Sequence, residues 1–215
     1  MLRLLALPLA LLALHALHQV DSSIRPLPGK LRSNLEHGQW HPGCPVPLSE
    51  LRVVTVRYVD FEGETRDGQI IVHRDVAGSV EKVFRKLYKL RFPIRHLQLS
   101  DMYGPPRAIP DDEDVTGSFW CRDSVPSPCV GGTASGHWSN HAYGHAIDIN
   151  PIENPYIGCG QVYDPRMRPY VDRSRLKEGM VTPAVVRAFR SIGWGWGGDW
   201  SSGTKDYMHF STNGH

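Results

Sequence analysis

Two short stretches in the second half of the chain carry residue types that bind metal ions and move protons. The first is Ser139-Asn140-His141-Ala142-Tyr143-Gly144-His145-Ala146-Ile147-Asp148, and the second is Asp206-Tyr207-Met208-His209. Imidazole and carboxylate are the ligands a hydrolytic zinc ion takes, at roughly 2.0–2.2 Å, with one position left open for water. His141, Asp148 and His209 supply three such ligands. His141 stands just before a turn at Gly144. Ala146 and Asp148 share one face of the strand that follows, because side chains two apart point the same way. A small Ala at that place leaves room for a substrate backbone.

Asp206 has a separate task. A catalytic zinc lowers the pKa of its water to about 7, and a nearby carboxylate takes the proton and later returns it to the leaving amine. Hydrolysis also builds negative charge on the substrate oxygen, which calls for a cation close by. Arg122 is the candidate, since its planar fork suits a carboxylate or an oxyanion. Ser139, Tyr143 and Trp200 are candidate substrate contacts. Trp194, Trp196 and Trp200 either line a groove or pack around the glycines between them. Asp199 either orients a metal-bound imidazole or caps the turn it sits in. His145, His73 and His137 read as flanking residues outside the site.

These residues need a scaffold, and the pattern around them predicts one. From Leu51, LRVVTVRYVDF alternates and is β-branched, EGETRDG supplies turn residues, and QIIVHR resumes the strand composition, which is a β-hairpin. Val80, Val83, Phe84, Leu87 and Leu90 recur at spacings of three and four, predicting an amphipathic helix from Ala77 to Leu90 that Pro93 stops. Ile94 to Leu99 reads as a short strand, 101–140 as a long loop, Ala146 to Asn150 as a strand and 151–180 as irregular. Thr182-Pro183 is a helix start, with Thr as N-cap and Pro at the first helical position. The helix runs to Gly193, and the chain ends in a turn-rich segment with a short β-like run, YMHFS.

The N-terminus has a different character. Met1 to Val20 places Arg3 before an apolar run from Leu4 to about Leu14, with Asp21-Ser22-Ser23 after it. That is the pattern of a cleaved signal peptide, too short for a membrane span of ~20 apolar residues. Residues 21–48 are rich in Pro, Gly and Ser and read as a tether or an ordered wrap. Residues 49–215 then form the working domain. Export sets the chemistry of Cys44, Cys121, Cys129 and Cys159: an even number in an oxidising compartment implies two disulfides, with three pairings open. The short spacing between Cys121 and Cys129 favours that pair, with Cys44 joined to Cys159. No C-x-x-C spacing supports a cysteine zinc site.

Composition narrows the function classes. The 215 residues are 40 % hydrophobic and 21 % charged, ordinary for a globular chain. A net charge of +2, from 24 basic and 22 acidic residues, carries no excess that points to nucleic acid. Twenty-one glycines and 17 prolines favour a loop-rich fold over a helical bundle.

The string S-x-H-x-x-G-x-A-x-D, followed about 60 residues later by D/E-x-x-H, resembles the D-alanyl-D-alanine carboxypeptidase-type zinc peptidases of peptidoglycan. Ser139, His141, Gly144, Ala146, Asp148, Asp206 and His209 meet every fixed position. GQIIVHRDVA (68–77), VFRKLYKLRFPI (83–94), SFWCR around Arg122, HAYGHAIDINPIENPY (141–156) and WGWGGDW with DYMHF resemble the subgroup of L-alanyl-D-glutamate endopeptidases and phage endolysins. The resemblance covers about residues 50–211. It implies an α+β fold, a small antiparallel sheet with flanking helices and a zinc cleft on the sheet, as in hedgehog and D-Ala-D-Ala carboxypeptidase domains. It also implies Zn2+ on His141, Asp148 and His209, Asp206 as general base, Arg122 steadying the substrate, and a peptidoglycan stem peptide as partner. The expectation is a secreted, monomeric metallopeptidase acting in the cell wall or periplasm, with no membrane span once the signal is cleaved. The stretch from Cys121 to the motif is longer than in compact members, which puts the substrate subsite in question. The alternative is a zinc-containing binding domain of the same fold, which needs neither Asp206 nor Arg122.

Overall fold

The computed structural model describes residues 22–105, 108–129, 137–201 and 203–215. The expected signal peptide lies outside them, and no helix among the described residues is long and apolar enough to cross a membrane. Among the described residues the architecture is α+β, built from three small antiparallel sheets and a few helices rather than one sheet. In chain order the elements are β1 (Ser23–Pro26), α1 (Gly29–Glu36), β2 (Leu51–Val59), β3 (Thr65–His73), α2 (Ala77–Lys89), α3 (Leu99–Tyr103), β4 (Ala146–Asp148), β5 (Tyr156–Gly158), α4 (Pro183–Arg190), β6 (Gly195–Trp196), β7 (Thr204–Asp206) and β8 (His209–Ser211). Short 3-10 turns at Leu48–Glu50, Asn140–Tyr143, Pro165–Tyr170 and Gly197–Asp199 join them.

The hairpin of β2 and β3 is the spine. Its turn is shorter than the sequence reading, because Thr65, Arg66 and Asp67 already pair with Val59, Tyr58 and Arg57. Both faces of the hairpin are covered, so its alternation divides two cores. Val54, Val56, Tyr58, Ile70 and Val72 face a core shared with α2, α4, Ile147 and Phe210. Leu51, Val53 and Ile71 face a second core with Leu31 and Leu35 of α1, Tyr103 and Phe119. The residues predicted to form the buried face of α2, Val80, Val83, Phe84 and Leu87, do so, whereas Leu90 caps the helix and is exposed. In α4, Thr182 caps through its hydroxyl, which accepts from the Val185 amide, and Pro183 occupies the first helical position.

Residues 23–36 form an ordered wrap: β1 pairs with β2 at the hairpin edge, and α1 packs against α3. The strand expected over Ile94–Leu99 is absent. Arg95 takes part in a buried ion network, with Nε on Asp114 at 3.1 Å and Nη2 on Glu153 at 2.8 Å. Gln98 and Asp101 form a capping box that starts α3 instead.

The disulfides are Cys44–Cys121 and Cys129–Cys159, not the pairing expected from spacing. The backbone explains this. The Cys121 amide donates to the Gln39 carbonyl at 2.9 Å, which lays Cys121 beside the N-terminal wrap and Cys44. Cys129 instead reaches Gly203 and Thr204, next to Cys159, whose amide donates to the Gly203 carbonyl at 3.1 Å. Residues 121–129 therefore run between two covalent anchors instead of folding back on themselves.

Candidate active site

Three elements bring the donors together. β4 and β8 pair antiparallel, and their register sets Asp148 directly opposite His209. His141 comes from the 3-10 turn Asn140–Tyr143, whose N-cap is Ser139: its hydroxyl accepts from the His141 amide at 3.3 Å. Gly144 ends that turn in the left-handed region, at φ +67°, and a Cβ there would lie 2.6 Å from the His73 backbone nitrogen. Both the conformation and the close approach require glycine. We expect Gly144→Ala to cost at least ~1–3 kcal/mol, read as a lowered midpoint in denaturant.

The result is a compact triangle. His141 Nε2 lies 3.2 Å from Asp148 Oδ2 and 3.2 Å from His209 Nδ1, and His209 Nδ1 lies 3.1 Å from Asp148 Oδ1. Donors bonded tetrahedrally to one ion at ~2.0–2.2 Å stand ~3.4 Å apart, so these three fit a zinc ion with tenths of an ångström of adjustment. The outer nitrogens are held too. His141 Nδ1 is 2.6 Å from the Ser118 carbonyl, and His209 Nε2 is 3.2 Å from the His215 carbonyl. Each contact puts the proton on the outer nitrogen and leaves the inner one a lone pair for an ion. Gly117 exchanges two backbone hydrogen bonds with Asp148, at 2.9 and 3.1 Å. Gly117 and Ser118 thus seat two of the three donors, a role no residue-type signal in the sequence announces. Burial raises the Asp148 pKa, but His141 and His209 outweigh it and hold the carboxyl well below the ordinary range.

Asp206 ends β7, opposite Tyr156 of β5. Its Oδ1 is buried with no hydrogen-bond partner among the described residues. Burial, helped by the Asp148 charge, pushes its pKa up to about 7. Gly197 abuts it: a Cβ there would lie 2.4 Å from the Asp206 carbonyl oxygen. Arg122 is half-buried, donates to the Asp123 carbonyl at 3.1 Å, and makes no ion pair among the described residues. Its charge reaches Asp206 and partly offsets the upward shift.

The triangle, Asp206 and Arg122 open into one cleft of about 1180 Å³. Trp138, Tyr156, Tyr163, Trp196 and Trp200 also line it, and it includes the expected contacts Ser139 and Tyr143. Ser139 is nonetheless a buried cap, and Trp200 is tied by its indole N–H to the Gly214 carbonyl at 2.5 Å. Trp194 packs in the core beside Phe189, leaving only Trp196 and Trp200 of the three tryptophans in the cleft. Asp199 pairs with Arg190 at 2.8 Å instead of orienting an imidazole. Tyr163, 73 % exposed at the rim, comes from the stretch read as irregular and carried no periodic signal.

One wall of the cleft is the doubly anchored segment, through Arg122, Ser124, Val125 and Ser127. Opening both disulfides frees that wall without touching the donor triangle. We expect mild reduction to raise KM on substrates that reach Arg122 while metal content stays constant, as measured by steady-state kinetics and elemental analysis side by side.

The family model described as D-alanyl-D-alanine carboxypeptidase matches residues 133–212. This stretch has the signature of that family. It includes His141, Asp148, Asp206 and His209, and it leaves Arg122 outside. The match supports the family that the motif resembles, and with it a metallopeptidase hydrolase. No curated protein and no solved structure matches the chain.

Proposed function

We propose that this chain is an exported zinc metallopeptidase that hydrolyses a peptide bond in peptidoglycan stem peptides, either L-Ala–D-Glu or a bond containing D-Ala. The observation that carries the reading is the convergence, in one cleft, of the His141–Asp148–His209 triangle, an Asp206 oxygen with no hydrogen-bond partner among the described residues and Arg122, which makes no ion pair among them. A non-catalytic zinc domain has no use for a buried carboxyl at the metal cleft with an oxygen left unbonded among the described residues, which costs stability; Asp114, buried and also raised, is by contrast held in the Arg95–Glu153 network away from the cleft.

His141 and His209 offer their inner nitrogens and Asp148 its carboxylate to hold Zn2+. When bound, the ion supplies a Lewis acid for the scissile carbonyl and makes water acidic near pH 7. Asp206 Oδ1, with no hydrogen-bond partner among the described residues, accepts the proton from the attacking water and delivers it to the leaving amine. Burial, which raises the carboxyl's pKa in the metal-free protein, favours the protonated form that returns the proton to the amine. Arg122 offers the guanidinium N–H groups not used on the Asp123 carbonyl to a substrate carboxylate or to the charge that grows on the carbonyl oxygen. Trp196, Trp200 and Tyr163 give the cleft apolar walls for the stem peptide.

The two disulfides support export, since such bonds persist in oxidising compartments. The subgroup resemblance favours the endopeptidase cut. Chromatography of two synthetic stem peptides after incubation tests the choice. Cleavage of L-Ala–D-Glu with the D-Ala–D-Ala terminus intact is expected, and release of terminal D-Ala alone would reverse the assignment.

A further inference from the structure

A second cluster with the same ligand chemistry lies outside the cleft. His73 at the end of β3, Asp75 in the following turn and His145 before β4 place their donor atoms within 4.8 Å of one another. His73 Nδ1 is 2.6 Å from Asp75 Oδ1, and His145 Nε2 is 3.0 Å from the same oxygen. The two imidazole rings stand edge to face with centroids 5.1 Å apart, the separation also found between His141 and His209. We propose that His73, Asp75 and His145 form a second Zn2+ site, distinct from the His141–Asp148–His209 centre and completed by water.

Four features support an ion over a plain hydrogen-bonded triad. The first is the preset backbone: the His73 amide donates to the Gly144 carbonyl at 3.1 Å, fixing the end of β3 against the residue before His145. The second is ring placement, since Tyr143 stacks on His145 at 6.2 Å. The third is the outer nitrogen of His73. Its Nε2 has the Glu50 carboxylate 3.9 Å away, beyond hydrogen-bond distance but adding negative charge beside the cluster, while Nδ1, which the Asp75 amide also approaches at 3.4 Å, points at the other two donors. Glu50 is itself held by Arg74 Nε at 2.6 Å. The fourth is access: the His73, His145 and Asp75 side chains are 16, 25 and 55 % exposed, which lets an ion in from solvent and lets Asp75 shift outward to tetrahedral spacing. Two imidazoles and a carboxylate suit zinc over magnesium or calcium.

An ion there ties the central hairpin to the turn that carries His141. The two sites are one turn apart in sequence, yet Gly144 sends His141 and His145 to different clusters.

Calorimetric titration of the chain with ZnCl2 tests the proposal. Two equivalents are expected in the wild type and one in His141→Ala/His209→Ala. Adding Asp75→Asn or His145→Ala to that background should weaken the remaining equivalent roughly tenfold or more. Asp75 is an exposed turn residue, so its replacement leaves the cores alone. Should the double variant not fold, Asp75→Asn in the wild-type background should lower the stoichiometry from two to one. Residual binding unmoved by Asp75→Asn and His145→Ala, or a wild type that takes one equivalent lost with His141 and His209, would overturn the second site and leave only a hydrogen-bonded triad. A single equivalent lost with Asp75 and unaffected by His141→Ala/His209→Ala would instead uphold this site and remove the ligand set proposed for the cleft.

Discussion

Asp206→Ala is expected to keep the fold and the zinc while losing at least a hundredfold in kcat, the low end of what a positioned general base contributes. Asp206 touches none of the three donors through a hydrogen bond, so its removal leaves the triangle intact. The loss should therefore separate cleanly from metal content, measured by elemental analysis on the same sample. Asp206→Asn adds a stability readout. The buried carboxyl has its pKa raised to about 7, above its ordinary value, so the folded state binds a proton the unfolded chain has released. Its stabilising contribution is present in acid and is lost as pH rises from about 4 through about 7. The metal-free Asn variant, with no charge to bury, should accordingly gain stability over the wild type at pH 8 relative to pH 5. In the active protein, kcat/KM should fall on the acid side as Asp206 takes up its proton.

The second large effect is expected at the donors. His209→Ala removes one corner of the triangle and one of the two imidazoles that offset the burial of its registered partner, Asp148. The variant should lose zinc from the cleft and all measurable hydrolysis, with activity unrecovered at added zinc that saturates the wild type. His141→Ala should match it in metal loss. The two are distinguished by stability, because His141 lies in a turn held by Ser139, Gly144 and the Ser118 carbonyl, whereas His209 lies on the central strand of its sheet. A zinc-loaded, active His209→Ala protein would remove the ligand set.

Much of this arrangement was legible because it rests on local pattern. The alternation of β2 and β3 and the three–four spacing of α2 are written in consecutive residues, as is the Thr182-Pro183 start of α4. His141 and Asp148 declare themselves through the glycine between them, since only a residue free to adopt φ +67° closes a turn so near β3. What could not be read is what depends on distant backbone. The cysteine pairing follows from the Gln39 and Gly203 carbonyls, neither of which has a sequence signature. Ile94–Leu99 has strand composition, but the buried Arg95–Asp114–Glu153 network and a capping box decide its path. His73 and His145 read as flanking residues because their meeting requires one backbone bond between residues 73 and 144. Tyr163 and Ser118 enter the site by position alone.

The most direct test of the central claim is mass spectrometry of peptidoglycan incubated with the folded, zinc-loaded chain, beside zinc-loaded Asp206→Ala. New stem-peptide fragments from the wild type, absent from the variant, are the predicted result, and their masses identify the bond. No new fragments from the wild type, or the same fragments at the same rate from both proteins, would contradict the account.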